Sequence, residues 1–111
     1  MSTQANTLTN CTLTRLRHLE SLYCQGYQSD VVDRTLDKII TLEQAQARRE
    51  LSELEVSLAA FEQRYQMSSA QFQQRFHAGQ LGDDADFFEW SALHDMAKNL
   101  CQRLAILELE A

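Results

Sequence analysis

The stretch ARRELSELEVSLAAFEQRY, residues 47–65, decides the fold of this chain of 111 residues. Its apolar residues recur at alternating steps of four and three positions, which is the rhythm of a helix that packs lengthwise on another helix. These residues are Ala47, Leu51, Leu54, Leu58, Phe61 and Tyr65. Since neither Gly nor Pro occurs between Asp30 and Gln66, we expect one helix over 30–66, about 55 Å long.

A second stripe with the same rhythm lies near the end of the sequence. It consists of Trp90, Leu93, Ala97, Leu100, Leu104 and Leu107. Two stripes of matching length predict a long helical hairpin with a coiled-coil-like seam, in which the last helix packs antiparallel on the long one. The predicted seam residues are Leu51, Leu54, Leu58, Phe61, Leu93, Leu100 and Leu104.

A short helix is predicted at the corner of this hairpin, over residues 69–78. Ser68 and Gln71 have the spacing of a capping box, and Gly79 suits the end of the helix because glycine tolerates positive φ. Asp83 and Asp84 suit the start of the last helix, because carboxylates accept hydrogen bonds from the free N–H groups there.

An extra N-terminal helix is predicted over residues 12–24, where leucines recur at helical spacing before Gly26, and Ser29 is a natural N-cap for the long helix. Residues 1–10 are polar and without periodicity, so we expect a flexible tail there. The sequence has no Pro, only three Gly and no strand-like runs. It therefore predicts an all-α fold, organised as a single helical domain over 11–111.

The charge of the chain narrows the class of partner. Sixteen acidic residues against ten basic ones give a net charge of −6, which repels phosphate backbones and attracts basic proteins. The sequence shows no apolar run typical of a signal peptide and none of about 18 residues that could span a membrane. Three widely spaced cysteines are consistent with reduced thiols, so we expect a cytoplasmic protein. From its charge and its lack of long apolar runs, we expect binding to neither membranes nor nucleic acid.

The sequence contains no pattern of catalytic or metal-binding residues. His18, His77 and His94 fall in three different predicted helices, and none has a His, Cys or carboxylate partner at convincing ligand spacing. The Asp-rich stretch 83–86 resembles part of a calcium loop, but the glycine precedes the acids and the spacing to a distal bidentate Glu is missing. We therefore expect no enzymatic activity and no catalytic, cofactor-binding or metal-binding residues.

Acidic and aromatic residues are concentrated where the last helix is predicted to begin. Because Phe87 and Phe88 are adjacent, they cannot both face one core stripe, and one of them is available to another chain. The alternative is that the aromatic residues only lock the corner of the hairpin. The predicted partner-binding residues are Asp83, Asp84, Asp86, Phe87, Phe88, Glu89 and Trp90.

Parts of this region resemble a group of small, all-helical prokaryotic proteins of toxin–antitoxin type. The shared pattern FExxYxMSS…GxLGD…FFEW is matched by FEQRYQMSS at 61–69, GQLGD at 79–83 and FFEW at 87–90. The resemblance covers about residues 22–107, and Gln66 stands where glycine is expected. It implies an antitoxin-like binding role beside a small toxin partner, with no catalytic residues.

We therefore expect a non-catalytic interaction module that binds and masks a small, basic toxin. A last helix of about 35 Å cannot cover the long helix alone, and the uncovered apolar surface favours a homodimer. One alternative is a homo-oligomeric coiled-coil structural or adaptor protein without a toxin partner. Another is a helix-turn-helix DNA binder around Gly26, which is disfavoured because its second helix would begin with Asp30 and Asp33.

Overall fold

The structure, a computed structural model, describes the backbone of residues 2–108 and the side chains of residues 11–108. Its elements are the helices α1 (Ser2–Cys24), α2 (Asp30–Tyr65), α3 (Ser69–His77) and α4 (Ala85–Leu107). No strand occurs within residues 2–108. The predicted all-α fold is confirmed.

The chain divides into two compact units, Met1–Lys38 and Ile39–Ala111, with the boundary inside α2. The prediction of a single domain over residues 11–111 stays a prediction. Each unit has its own packing, and the candidate site lies in the second.

The first unit joins α1 to the start of α2 through a tight turn. Gly26 has a φ of 94°, the left-handed conformation that ends α1 as expected. Ser29 Oγ accepts a hydrogen bond from the Val32 N–H at 3.3 Å, which confirms the N-cap of α2. The Tyr23 hydroxyl lies 2.7 Å from Asp33 Oδ1 and so ties the end of α1 to the first turn of α2.

The N-terminal helix begins earlier than the sequence predicts. We expected a tail at 1–10 and a helix from Thr12, whereas α1 begins at Ser2. The physical reason is that neither Gly nor Pro interrupts residues 2–24, so a polar composition alone does not stop the helix. Met1 and the side chains of residues 2–10 lie outside the described residues.

The second unit is the expected helical hairpin with a short helix at its corner. Near one end of the hairpin Gln44 Nε2 donates to the Leu107 carbonyl at 3.0 Å. Near the other end the Tyr65 hydroxyl donates to Asp86 Oδ2 at 2.6 Å. Residue numbers thus rise along α2 while they fall along α4, so the two helices are antiparallel.

Two clusters of buried side chains hold the hairpin together. The first is centred on Ala47, Leu100 and Leu104, and the second on Leu58, Phe72 and Trp90. The seven predicted seam residues all lie in or against these clusters: Leu51, Leu54, Leu58, Phe61, Leu93, Leu100 and Leu104. The core therefore follows the two stripes, and α3 adds Phe72 to it.

The turn between α2 and α3 contains a strained residue. Gln66 has a φ of 56°, a left-handed conformation that costs an L-residue roughly 1–2 kcal/mol. The Met67 N–H donates to the Glu62 carbonyl at 3.3 Å, which closes the end of α2 in the manner of a Schellman motif. The position thus favours glycine on physical grounds.

We predict that Gln66→Gly raises the free energy of unfolding by about 0.5–1 kcal/mol, because glycine adopts this φ without strain. The gain is smaller than the strain, since glycine also increases the entropy of the unfolded chain and the bond from Gln66 Nε2 to the Gln63 carbonyl is lost. Urea denaturation followed by circular dichroism measures the change. The matched control is Gln63→Gly, inside α2, which should destabilise by about 0.5–1 kcal/mol. Equal destabilisation by both substitutions would contradict this account of the turn.

Candidate functional site

The corner of the hairpin is built around a stack of aromatic rings. Phe72 and Trp90 both have no exposed surface, and their rings stack with centroids 3.9 Å apart and planes 5° apart. Phe61 stacks on Trp90 with a centroid distance of 5.6 Å. One side chain from each of α2, α3 and α4 therefore meets at this point, which fixes how the three helices converge.

Hydrogen bonds anchor the start of α3 to this stack. The buried Trp90 Nε1–H donates to Ser69 Oγ at 2.9 Å, and the Ser69 N–H donates to Glu62 Oε2 at 2.7 Å. The capping box predicted for Ser68 and Gln71 is present, with both of its hydrogen bonds formed. The carboxylate of Glu62 also complements the positive end of the α3 dipole. No local pattern in the sequence indicates the Ser69–Trp90 bond, although a buried indole N–H generally needs an acceptor.

Two of the acids predicted to bind a partner have structural roles. Asp84 is the N-cap of α4 and accepts from the Asp86 N–H at 2.9 Å. Asp86 accepts from Tyr65 and pairs with Arg64 Nη1 at 3.0 Å. Asp84 therefore caps α4, and Asp86 holds the start of α4 against the end of α2.

Two of the predicted partner-binding aromatic residues pack into the corner of the hairpin, and the full burial of Trp90 corrects the prediction for that residue. Trp90 is fully buried and cannot touch a partner in this conformation, because its place in the α4 stripe points it into the stack. Phe87 is half-buried and packs against Tyr65 and Phe72, with centroid distances of 5.3 and 5.7 Å. The alternative of an aromatic corner thus accounts for both residues.

The remaining predicted residues form an exposed surface, which we call the acidic corner: Asp83, Asp84, Phe88 and Glu89. Phe88 is 56% exposed and makes an edge-on contact with Phe76, at a centroid distance of 5.3 Å. Adjacent Phe87 and Phe88 therefore face different directions, as their spacing predicts. The acidic corner offers one large apolar ring among carboxylates.

A groove lies beside the seam, between α2 and α4, with a volume of about 460 Å³. Its lining residues are Leu51, Glu55, Leu58, Glu62, Ser69, His94, Ala97, Lys98 and Cys101. The groove is open to solvent and its floor is apolar. Within the described part of the chain, no group of three or more His, Cys, Asp or Glu side chains is placed to hold a metal ion.

No family model, curated protein or solved structure matches this chain. Among the residues described, no helix is both long and apolar enough to cross a membrane.

We predict that Ser69→Ala lowers the free energy of unfolding by about 1–3 kcal/mol, because it leaves the buried indole N–H of Trp90 without an acceptor. In the Trp90→Phe background the same serine substitution should cost clearly less, since no N–H remains to be satisfied. Urea denaturation of the four chains gives this coupling. Ser91→Ala is the control, because it removes another buried hydroxyl that is not the acceptor of the indole. Strictly additive effects would rule out the coupling.

The pKa of Tyr65 is raised above its ordinary value of 10.0. The main cause is the hydrogen bond that its hydroxyl donates to the Asp86 carboxylate, and partial desolvation adds to it. Folding thus favours the protonated phenol. Its contribution to stability is complete below pH 10.0 and is lost as the pH rises through the higher pKa of the folded state.

Spectrophotometric titration of tyrosinate should therefore show one late-titrating tyrosine fewer in Tyr65→Phe. Asp86→Asn should bring the pKa of Tyr65 back toward its ordinary value. Tyr23 is the internal reference, because its pKa is raised in the same direction by Asp33 and should not respond to either substitution. An unchanged titration curve in Asp86→Asn would refute the assigned cause.

Proposed function

We propose that this chain is a non-catalytic, antitoxin-like protein that binds and masks a small basic protein through the acidic corner. The observation that carries this proposal is the exposure of Phe88, 56% of whose surface faces solvent at the start of α4. Asp83, Asp84 and Glu89 are exposed beside it. A large aromatic anchor within a charged rim is the usual anatomy of a protein–protein hot spot.

The charge of the chain supports a basic partner. A net charge of −6 attracts cationic proteins over a distance, which raises the rate of encounter at low ionic strength. Asp83 and Glu89 are exposed, so their carboxylates can pair with basic side chains of a partner, whereas Asp84 and Asp86 already serve the start of α4. The rim would therefore contribute mainly to association rate and specificity.

The stack beneath the acidic corner supports a preformed binding surface. Phe76, the ring that Phe88 touches, stacks on buried Phe72 with a centroid distance of 5.3 Å. Phe88 thus stands on a packed base rather than on a loop. A surface held in its binding conformation loses little entropy on association, which favours tight binding.

The resemblance described above points to the same kind of partner. In proteins of toxin–antitoxin type the two components are encoded side by side, so the candidate partner is the product of the adjacent open reading frame. On this proposal both components act in the cytoplasm. Masking is a matter of contact, and it requires no catalytic group on this chain.

The charges at the start of α2 argue against the alternative function of DNA binding. Arg34, one of the two cations near the start of α2, pairs with Asp30 through a 3.2 Å contact. Asp33, in the same first turn, presents a further carboxylate. Both acids would face a phosphate backbone at the point where a reading helix needs positive charge.

We predict that the adjacent open reading frame product co-purifies with this chain, and that Phe88→Ala weakens the complex by about 2 kcal/mol, or roughly 30-fold. Calorimetric titration of the purified components measures this loss. Val56→Ala is the control, because Val56 is 73% exposed on α2 and also loses an apolar side chain. It should leave the affinity unchanged.

Asp83→Asn combined with Glu89→Gln should slow association and flatten its dependence on salt, while dissociation changes little. If the neighbouring product is toxic, co-expression of this chain should restore growth, and Phe88→Ala should restore it less. The proposal fails if no complex forms, or if Val56→Ala weakens binding as much as Phe88→Ala.

A further inference from the structure

Within the described part of the second unit, one side of the seam between α2 and α4 is lined by no third helix. On α2, Glu53 and Glu55 flank Leu54 by one position each, and neighbouring positions of a helix point about 100° apart. The two glutamates therefore line grooves on opposite sides of the seam, as the lining residues show. Glu55 lies on the side where α3 contributes Ser69. The opposite groove is lined by α2 and α4 alone among the described residues.

We call this second surface the Met96 face: Glu50, Glu53, Leu54, Met96, Leu100 and Arg103. Met96 is 52% exposed at its centre, beside Leu54 and the buried Leu100. A large thioether side chain at the middle of a bare seam is a typical feature of a helix–helix interface. The core beneath it is thin, because the two fully buried large side chains, Phe72 and Trp90, both lie at the corner.

The two walls of the Met96 face carry opposite charge. Glu50 and Glu53 form the wall on α2, whereas Arg103 forms part of the wall on α4. Glu50 and Arg103 line one and the same depression, so they lie at the same level along the hairpin. A surface with an acidic wall and a basic wall at one level is complementary to itself.

We propose that a second copy of this chain packs its own Met96 face on this one, about a two-fold axis that runs parallel to α2 and α4. Rotation about this axis leaves each residue at the same height along the helices. It places the α2 wall of one copy opposite the α4 wall of the other. The Glu50 wall of each copy then meets the Arg103 wall of the other, and the pair occurs twice. The result is a four-helix arrangement whose new core contains Leu54, Met96 and Leu100 of both copies.

The occupant is a second copy because the complementarity is internal to one surface. A basic partner would be repelled by Arg103, and an acidic partner by Glu50 and Glu53. An apolar helix without charges would pack on Met96, but it would leave the charges of both walls uncompensated, since the hydrogen bond that Glu50 accepts comes from the neutral Gln46 amide. This inference does not rest on the function proposed above, since the acidic corner takes no part in it.

The test is a charge exchange across the proposed axis, measured on the full chain by sedimentation equilibrium over a series of concentrations. The wild type should have twice the monomer mass of 12.8 kDa. Glu50→Arg and Arg103→Glu should each raise the dimer dissociation constant at least about tenfold, because each places like charges together twice. The double variant should return to within a few-fold of the wild type.

The matched controls lie on the opposite side of the seam. Glu55→Arg and Lys98→Glu reverse comparable exposed charges in the groove that contains Ser69 and should leave the dissociation constant unchanged. Circular dichroism of every variant separates loss of the dimer from loss of folding, and the recovery in the double variant does so independently. Met96→Lys should also dissociate the dimer.

Three results would overturn this inference. The first is a wild type that stays at the monomer mass throughout the concentration series. The second is a dimer that responds to Glu55→Arg or Lys98→Glu but not to the Glu50 and Arg103 variants, which would place the interface on the other face. The third is a double variant no better than the single ones, which would exclude the pairing of Glu50 with Arg103.

Discussion

The contact on which the second unit depends is the stacking of Trp90 on Phe72, with the indole N–H bound to Ser69. It joins α3 to α4, and Phe61 extends the stack to α2. A large flat ring leaves few ways to pack three helices, and its single polar group must reach one particular hydroxyl. The rings therefore form the buried centre of the corner, and the hydrogen bond selects one arrangement.

Away from the corner the hairpin relies on smaller contacts. Ala47 is almost fully buried and packs against Leu100 and Leu104. Polar contacts reinforce this far end, where Gln44 donates to the Leu107 carbonyl and Arg48 pairs with Glu108. Between these ends, the seam residues Leu51, Leu54, Leu93 and Ala97 are only half-buried.

Whether a feature of the fold could be predicted from the sequence depends on how far apart in the sequence its interacting residues lie. The rhythm of Leu51, Leu54 and Leu58 gave the seam, and the spacing of Ser68 and Gln71 gave the capping box, because both depend on neighbours within one or two helical turns. The contact of Asp86 with Tyr65 joins residues that no local pattern links. Trp90 was assigned both to the stripe and to the partner surface, and only its packing in three dimensions decides between them.

The position of the sole tryptophan also has a spectroscopic consequence. Its fluorescence emission reports on the burial of the corner where α2, α3 and α4 meet, whereas ellipticity in the far ultraviolet averages over every helix. If the corner opens before the remaining helices melt, the two signals will separate during a titration with denaturant, and the chain will not obey a two-state description. A single natural chromophore therefore distinguishes local opening of the corner from cooperative loss of the whole fold.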